Sequence, residues 1–232
     1  MPASTADNST LSSPAVILIL SGKRKSGKDY VAAYISSKIS SLFSLAPLSL
    51  RVAIVRLSGP LKGEYARLHG LNYNKLLSEG SYKEQYRADM ISWSDGIRTL
   101  DPWYFARLAV CDASAHEPSS EDTADASKNC CVWVVSDARR TTDLMFFDDN
   151  YNNESGCTLI LKVRVLAELE IRHARGFKFT SGIDDAETEC GLDSYPNWDY
   201  FIENNGNDEI MNCQVESIIT RILAHVRSLH VD

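Results

Sequence analysis

Apolar residues occur along the chain in short runs, and longer stretches of mixed polarity separate them. Residues 30–39, after the first run, are predicted to form a helix, and the other intervals are also long enough to hold helices. This alternation predicts an α/β fold with a five-stranded parallel sheet covered by helices on both faces, which places ligands at the carboxyl ends of the strands. The runs of strand length cover residues 15–20, 51–57, 131–135, 158–165 and 199–202.

The last predicted helix has the clearest pattern. From Met211 to Leu229, apolar residues recur at intervals of three and four, so they form one stripe that we expect to pack on the sheet. Two segments, 40–49 and 113–129, break the alternation and are interpreted as insertions. The second contains Ser, Asp and Glu but no large apolar side chain, and we expect it to be disordered.

The length and composition limit the possible classes. With 232 residues, we expect one domain over residues 15–232 after a disordered tail over residues 1–14. The net charge of −7 argues against a nucleic-acid-binding protein, and no apolar run is long enough to span a membrane. Six scattered cysteines without a Cys-x-x-Cys pair, together with the lack of a signal peptide, favour reduced thiols in the cytosol.

A basic loop bracketed by glycines follows the first apolar run. Gly22, four further residues and then Gly27-Lys28 match the phosphate-binding P-loop pattern through its lysine. Two glycines let successive backbone N–H groups turn towards one anion, and the next helix adds the positive end of its dipole. A lysine-rich surface turn is the alternative. The predicted strand, loop and helix all fit the P-loop arrangement, however, so we expect a triphosphate site with Lys28 at the terminal phosphates.

The last position of the P-loop pattern is Ser or Thr, whereas this chain has Asp29. We expect the carboxylate of Asp29 to take the place of that hydroxyl as a magnesium ligand.

A second charged cluster follows the third apolar run. Asp137 occupies the place where P-loop enzymes keep a magnesium carboxylate, while Arg139 and Arg140 suit phosphate oxygens. The alternative is that Asp137 only caps the next helix.

Two further stretches are rich in charge. A long helical stretch before the third strand is interpreted as an acceptor-binding flap, although a solvated helix face is the alternative for any single one of its cations, Lys83, Arg87, Arg98 and Arg107. Residues 175–193 are interpreted as a mobile lid that excludes water from the reaction. Its acidic residues, Asp184, Asp185, Glu187 and Glu189, are assigned no chemistry and are alternatively a solvated hinge.

Cations at two places around one site suit a phosphoryl transferase, because such an enzyme mainly positions its reactants and offsets negative charge. No histidine lies at a clear strand end, so the chain offers no obvious base. An acceptor that is itself a phosphate needs none, since its second pKa of about 6 leaves it mostly dianionic. The residues alone therefore indicate a small-molecule kinase that makes a phosphoanhydride.

Over residues 15–230, these motifs resemble the animal-type phosphomevalonate kinases, which have the fold of nucleoside-monophosphate kinases. That family carries an aspartate at the position of Asp29. The segments that carry the resemblance are 21–29, 57–62, 82–90, 136–140, 175–180, 184–193 and 202–204. The resemblance implies transfer of a phosphoryl group from ATP, with magnesium, to (R)-5-phosphomevalonate, giving (R)-5-diphosphomevalonate in isoprenoid and sterol biosynthesis.

By position, the resemblance also implies roles for individual residues. Lys28 would bridge the transferred group, and the other positions matched to catalysis are Arg24, Lys25, Asp29, Arg139 and Arg140. The positions matched to nucleotide binding are Gly22, Lys23, Arg24, Lys25, Ser26, Gly27, Lys28, Asp29, Arg175, Asn205 and Gln214. The positions matched to acceptor binding are Lys62, Lys83, Arg87, Arg98, Arg107, Arg139, Arg140 and Asn204.

Two other functions stay open at this stage. A nucleoside-monophosphate kinase shares the fold and the chemistry, and a non-catalytic scaffold would bind nucleotide without turnover. The peroxisomal C-terminal tripeptide of some relatives is absent, which favours the cytosol, and we expect a monomer.

Overall fold

The computed structural model of the chain describes residues 13–43, 49–78, 80–115, 129–152 and 157–229. These residues contain a five-stranded sheet in which all paired strands are parallel, in the order β2-β3-β1-β4-β5. The predicted α/β fold with a five-stranded parallel sheet is therefore confirmed. The strands are Val16–Ser21 (β1), Ser49–Val55 (β2), Asn129–Ala138 (β3), Leu159–Leu166 (β4) and Tyr200–Glu203 (β5).

The helices of the described residues connect these strands, and most of them occupy the intervals in which the apolar pattern predicts helices. Their bounds are Lys28–Phe43 (α1), Ser58–His69 (α2), Tyr73–Leu77 (α3), Ser81–Leu100 (α4), Tyr104–Ala115 (α5), Thr141–Tyr151 (α6), Leu169–Ala174 (α7), Glu187–Cys190 (α8) and Asp208–Ser228 (α9).

Alternating side chains of the central strands pack on opposite faces of the sheet. On one face, Val16, Leu18 and Leu20 of β1 pack in a cluster that includes the stripe of α9. On the other face, Ile17 and Ile19 pack in a cluster that includes residues of α5 and α6. Because side chains alternate along a strand, the fully buried β1 supplies both layers, which gives the predicted three-layer arrangement.

The order of the strands locates the predicted phosphate-binding loop. β1 pairs with β3 on one side and with β4 on the other, so the chain leaves β1 at the point where the strand order reverses. The carboxyl ends of parallel strands diverge there and leave a crevice. The loop after β1, the Asp137–Arg140 segment at the end of β3 and Asn204 after β5 all lie at this edge.

The structure changes several predicted boundaries. The single long helical stretch is wrong, because α4 ends at Leu100 and α5 begins at Tyr104, with Pro102, which has no N–H to donate, between them. The predicted insertion over residues 40–49 is not one unit, since residues 40–43 continue α1, Ser49 begins β2 and residues 44–48 lie outside the described residues.

Two predicted disordered segments lie largely outside the described residues. In the insertion predicted over 113–129, residues 113–115 belong to α5, residue 129 begins β3 and residues 116–128 are not described. Of the tail predicted over 1–14, only residues 13 and 14 are described, and the carbonyl of Pro14 accepts a hydrogen bond from the Thr158 hydroxyl at 2.8 Å.

Within the described ranges, none of the helices combines the length with the apolar composition that crossing a lipid bilayer requires. The single-domain organisation, the monomeric state and the cytosolic location stay predictions.

Candidate active site

The loop between β1 and α1 requires both of its glycines. Gly27 has a φ of +82°, in the left-handed region, and a Cβ there would lie 2.2 Å from Nδ2 of Asn204. A Cβ on Gly22 would lie 2.6 Å from Oγ of Ser26 and 2.8 Å from the carbonyl oxygen of Val165. The loop backbone therefore lies against its neighbours at both ends.

Arg175 and Asn204 hold the loop from outside. Arg175 donates from Nη1 to the carbonyl of Ser26 at 3.0 Å and from Nη2 to the carbonyl of Asn204 at 2.9 Å. Asn204 donates from Nδ2 to the same Ser26 carbonyl at 2.9 Å. Two of the predicted ligand-binding residues thus fix the shape of the predicted phosphate-binding loop.

Two adjoining cavities open at this edge of the sheet. The larger cavity, of about 1110 Å³, includes the loop residues Arg24, Lys25 and Gly27 together with Arg175 and Asn204. The smaller cavity, of about 520 Å³, lies between the end of β3 and helices α2 and α4. Six residues line both cavities and form their shared wall: Lys28, Asp29, Lys83, Arg87, Arg139 and Ile183.

Most of the predicted acceptor-binding residues meet at the smaller cavity. Lys62, Arg98 and Arg140 line it in addition to the cations of the shared wall, and so does Asp137. Arg140 forms ion pairs with Asp95 at 2.5 Å and with Glu187. The site is therefore built from α2 and α4 together with the end of β3, which lies much further along the chain.

Other predicted residues lie outside the two cavities. Arg107 forms an exposed ion pair with Asp101, and Oε1 of Gln214 accepts the N–H of Glu203 at 2.8 Å. Oδ1 of Asn205 accepts the N–H of Glu168 at 2.8 Å. Gly22, Lys23 and Ser26 belong to the loop but do not line either cavity.

The shared wall concentrates positive charge on side chains that are partly buried. Burial first, and then the charge of Arg139, lowers the pKa of Lys28. The pKa of Lys83 is lowered by burial and by Arg87 and Lys28. Burial and the neighbouring charge of Lys83 lower the pKa of Lys62 to about 8. Cations that disfavour one another in this way are stabilised by an anionic ligand.

Asp137 caps a helix, but not the helix that follows it in sequence. Its Oδ1 accepts the N–H of Leu57 at 2.7 Å, and its Oδ2 accepts the N–H of Ser58 at 3.0 Å, at the beginning of α2. Burial alone would raise the pKa of Asp137, but hydrogen bonds from Ser58 and the charges of Lys62 and Lys28 outweigh it and hold this pKa below its usual range. The carboxylate therefore joins β3 to the helix that carries Lys62.

Asp143 fixes the backbone of the arginine pair. Its Oδ2 accepts the N–H groups of Arg139 at 2.9 Å and Arg140 at 3.0 Å, where α6 begins. Sequence reasoning missed this residue, although an acidic residue in the first turn is a common signal of a helix start.

The acidic segment that was given no chemistry contacts the site directly. Asp184 and Glu189 are 8% and 7% exposed, so a solvated hinge is wrong for both. Asp184 pairs with Arg24 at 3.0 Å, and Glu189 pairs with Arg139. Asp185 is exposed and bonds within its own segment, to the N–H of Gly182 at 2.5 Å. The buried carboxylates carried no local sequence signal, because their partners lie on other elements.

Solved structures of low sequence identity cover most of the chain. One is a shikimate kinase from Acinetobacter baumannii in complex with shikimate (11% identity, 92% of this chain, 94% of that chain, TM-score 0.41). Another is a gluconokinase from Sinorhizobium meliloti 1021 (11% identity, 93% of each chain, TM-score 0.40). TM-scores this low carry no argument about fold or function.

Comparison by sequence is decisive. The family model described as phosphomevalonate kinase matches residues 20–153, which include the phosphate-binding loop and the arginine pair. The phosphomevalonate kinase of Drosophila melanogaster is 37% identical over 203 residues, which cover 88% of this chain and 94% of that protein. With the resemblance of its motifs thus confirmed, the chain belongs to the phosphomevalonate kinase family.

Proposed function

We propose that this kinase transfers the γ-phosphoryl group of ATP to the phosphate of (R)-5-phosphomevalonate, giving ADP and (R)-5-diphosphomevalonate. Family membership supports the reaction. One observation carries the assignment of the site: four cations, Lys28, Lys83, Arg87 and Arg139, lie on the wall shared by two cavities. We assign ATP to the larger cavity, which contains the loop, and the acceptor to the smaller one.

In this assignment, the transferred phosphoryl group passes across the shared wall. An oxygen of the acceptor phosphate forms a bond to the γ-phosphorus, while the bond from that phosphorus to the β–γ bridging oxygen breaks and ADP leaves. The acceptor phosphate is already ionised at neutral pH, so no side chain has to remove a proton. Lys28 and Arg139 offset the charge that collects between the two substrates, and the other cations orient the acceptor.

The residues also fit the magnesium ion that the family implies. Mg²⁺ is usually held by one or two carboxylates together with substrate phosphates. The side chain of Asp29 is 72% exposed, and this residue lines both cavities. Among the described residues, no group of three or more His, Cys, Asp or Glu side chains is placed to hold a metal. We therefore assign the ion to Asp29 together with the phosphates, where it would supply charge neutralisation; both oxygens of Asp137 are already bonded to N–H groups.

Replacing Asp29 with asparagine should raise the free magnesium concentration needed for half-maximal activity by at least about tenfold, since even indirect partners of a metal are worth 10–100-fold in affinity. Magnesium is titrated at fixed ATP, with Asp149→Asn, an exposed aspartate on α6, as the control. An unchanged magnesium requirement in Asp29→Asn would contradict the assignment.

Lys62 gives the site a predicted pH dependence. With a pKa of about 8, the free enzyme loses this charge as the pH rises above 8. A bound phosphate favours the ammonium form, so at pH 8.5 binding of the acceptor should take up about half a proton or more, and the acceptor KM should rise at higher pH. Calorimetric titration in two buffers of different ionisation enthalpy measures this uptake.

Lys62→Arg is the control for this experiment, because its guanidinium keeps the charge throughout that pH range. The uptake assigned to Lys62 is the difference between the two proteins. Equal proton uptake by both would show that Lys62 is not the titrating group.

The function itself is tested by offering different acceptors to the purified protein with Mg-ATP and measuring release of ADP. The acceptors are (R)-5-phosphomevalonate, mevalonate, AMP, CMP and UMP at equal concentration. We expect turnover with phosphomevalonate alone. Turnover of a nucleotide instead would indicate a nucleoside-monophosphate kinase, and nucleotide binding without turnover would indicate a scaffold.

A further inference from the structure

Glu189 is a buried carboxylate that joins two parts of the site. It belongs to the short helix α8, and its side chain is 3% exposed. Oε2 accepts the backbone N–H of Arg24 in the phosphate-binding loop at 2.9 Å, and Oε1 accepts a hydrogen bond from Nη1 of Arg139. One carboxylate therefore links the lid segment to both cationic clusters.

Arg139 needs such a partner because of where it lies. It belongs to the wall between the two cavities, and burial is the main cause that lowers its pKa, with the charge of Arg87 acting in the same direction. Nη1 of Arg139 also donates to the carbonyl of Thr188 at 3.0 Å. Both contacts use one end of the guanidinium, and no other described residue accepts a hydrogen bond from its Nη2 or Nε, so these donors can meet a ligand.

The segment around Glu189 has a second attachment to the same loop. Asp184 pairs with Nη2 of Arg24 at 3.0 Å, and the guanidinium of Arg24 lies 5.2 Å from the centre of the Phe177 ring. Asp184 also accepts the N–H of Thr180 at 2.8 Å, which fixes the carboxylate within the segment. Arg24 is thus held through its side chain and through its backbone, so the position of Glu189 relative to the loop is defined.

From this geometry we propose that Glu189 is a positioning residue for phosphoryl transfer, which holds one end of the Arg139 guanidinium against the loop so that the other end meets the reacting phosphates. The inference rests on the proposed function. It differs from a purely structural role, in which Glu189 would affect only stability, and from a blocking role, in which its charge would compete with the acceptor phosphate.

Glu189→Gln removes the charge and keeps an oxygen that accepts the N–H of Arg24. We expect kcat to fall about 10–100-fold, since a displacement of about 1 Å in a positioned group costs on the order of 10²-fold. The KM values for ATP and acceptor should change less than about threefold, because a group misplaced for the transition state affects kcat first. Asp185→Asn is the matched control, since it makes the same charge change at an exposed position of the same segment.

A double-mutant cycle tests whether Glu189 acts through Arg139. In the Arg139→Met background, Glu189→Gln should lower kcat by no more than about twofold, because residues that act through one another are not additive. An equal loss of kcat in both backgrounds would overturn the proposal. So would a lower melting temperature with unchanged kcat, or a lower acceptor KM with unchanged kcat.

A spectroscopic measurement separates this inference from the proposed function. Rotation of the Arg139 guanidinium, followed by NMR of its nitrogens and assigned with Arg139→Lys, should be slow in the wild type and in Asp185→Asn but fast in Glu189→Gln. Persistent slow rotation in Glu189→Gln would overturn the positioning role whatever the acceptor is.

If Glu189→Gln fails to fold, Glu189→Asp replaces it in both experiments. The shorter carboxylate cannot span both contacts, so this variant should show the same loss of kcat and faster rotation of the Arg139 guanidinium. A wild type without phosphomevalonate turnover would contradict the proposed function alone.

Discussion

Replacing Lys28 with methionine should lower kcat by about 10²–10³-fold, which is the typical cost of removing one donor to developing charge in an active site. Lys28 lies on the wall between the cavities, and its side chain is 11% exposed. The Asp29 carboxylate is 3.7 Å from its ammonium group, so the nearest counter-charge is not in close contact. Steady-state kinetics measure this loss of kcat, and a thermal melt measures the effect of the same substitution on stability.

The same substitution should leave the melting temperature unchanged or raise it. Burial and Arg139 lower the pKa of Lys28, so its charge opposes folding at pH 7. This cost is fully present below the folded-state pKa and disappears as the pH rises above the unfolded-state pKa. Methionine fills a similar volume without the charge, and it also relieves the repulsion with Arg139.

Lys38→Met is the matched control for this experiment. Lys38 lies on the same helix, α1, but forms a surface ion pair with Glu216. We expect nearly wild-type kcat from this control. Full activity in Lys28→Met, or an equal loss in both variants, would remove Lys28 from the centre of the reaction.

Features of the fold that depend on residues close together in sequence were predictable. The five strands occur where the apolar runs predict them, with ends that differ by up to three residues. β3 shows why the ends differ: the apolar run stops at Val135, but the backbone continues to pair, so that Ala138 lies opposite Ser21 of β1. Ladder pairing depends on the partner strand, which a local pattern does not contain.

The site was predictable only as far as its groups lie on recognisable motifs. The loop from Gly22 to Asp29 and the pair Arg139-Arg140 have local signatures. The contact from Glu189 to the Arg24 N–H joins residues 165 positions apart, and the contact from Asp137 to Leu57 joins residues 80 positions apart. The carboxylates of Glu189 and Asp137 are both buried next to cations. Burial is a property of the folded chain, so a local sequence pattern does not predict these contacts.

Among the substitutions in the site considered above, Asp137→Asn is therefore the one for which we expect the largest effect on stability. Asp137→Asn keeps one oxygen but places an amide N–H₂ group against a backbone N–H of Leu57 or Ser58. Leaving a buried donor unpaired costs about 1–3 kcal/mol, and more when a charged partner is lost. For a chain of this size, that corresponds to a decrease in the melting temperature of roughly 3–10 °C. Thermal melts at several pH values measure it, with the exposed Asp149→Asn as control.

The pH dependence of this loss distinguishes a structural carboxylate from a magnesium ligand. The folded-state pKa of Asp137 is lowered, so its contribution to the free energy of unfolding is present above the unfolded-state pKa of about 3.8 and is lost as the pH falls through the folded-state value. The difference between wild type and Asp137→Asn should accordingly be full at pH 7 and shrink below about pH 4, with or without magnesium. A variant that melts like the wild type in the absence of magnesium, but requires more of the ion for activity, would instead make Asp137 a metal ligand. The helix α2 carries Lys62, and it begins at the two N–H groups that donate hydrogen bonds to Asp137. A structural role for Asp137 therefore also predicts a higher acceptor KM in Asp137→Asn. If Asp137 were a metal ligand, the substitution would chiefly change the magnesium requirement.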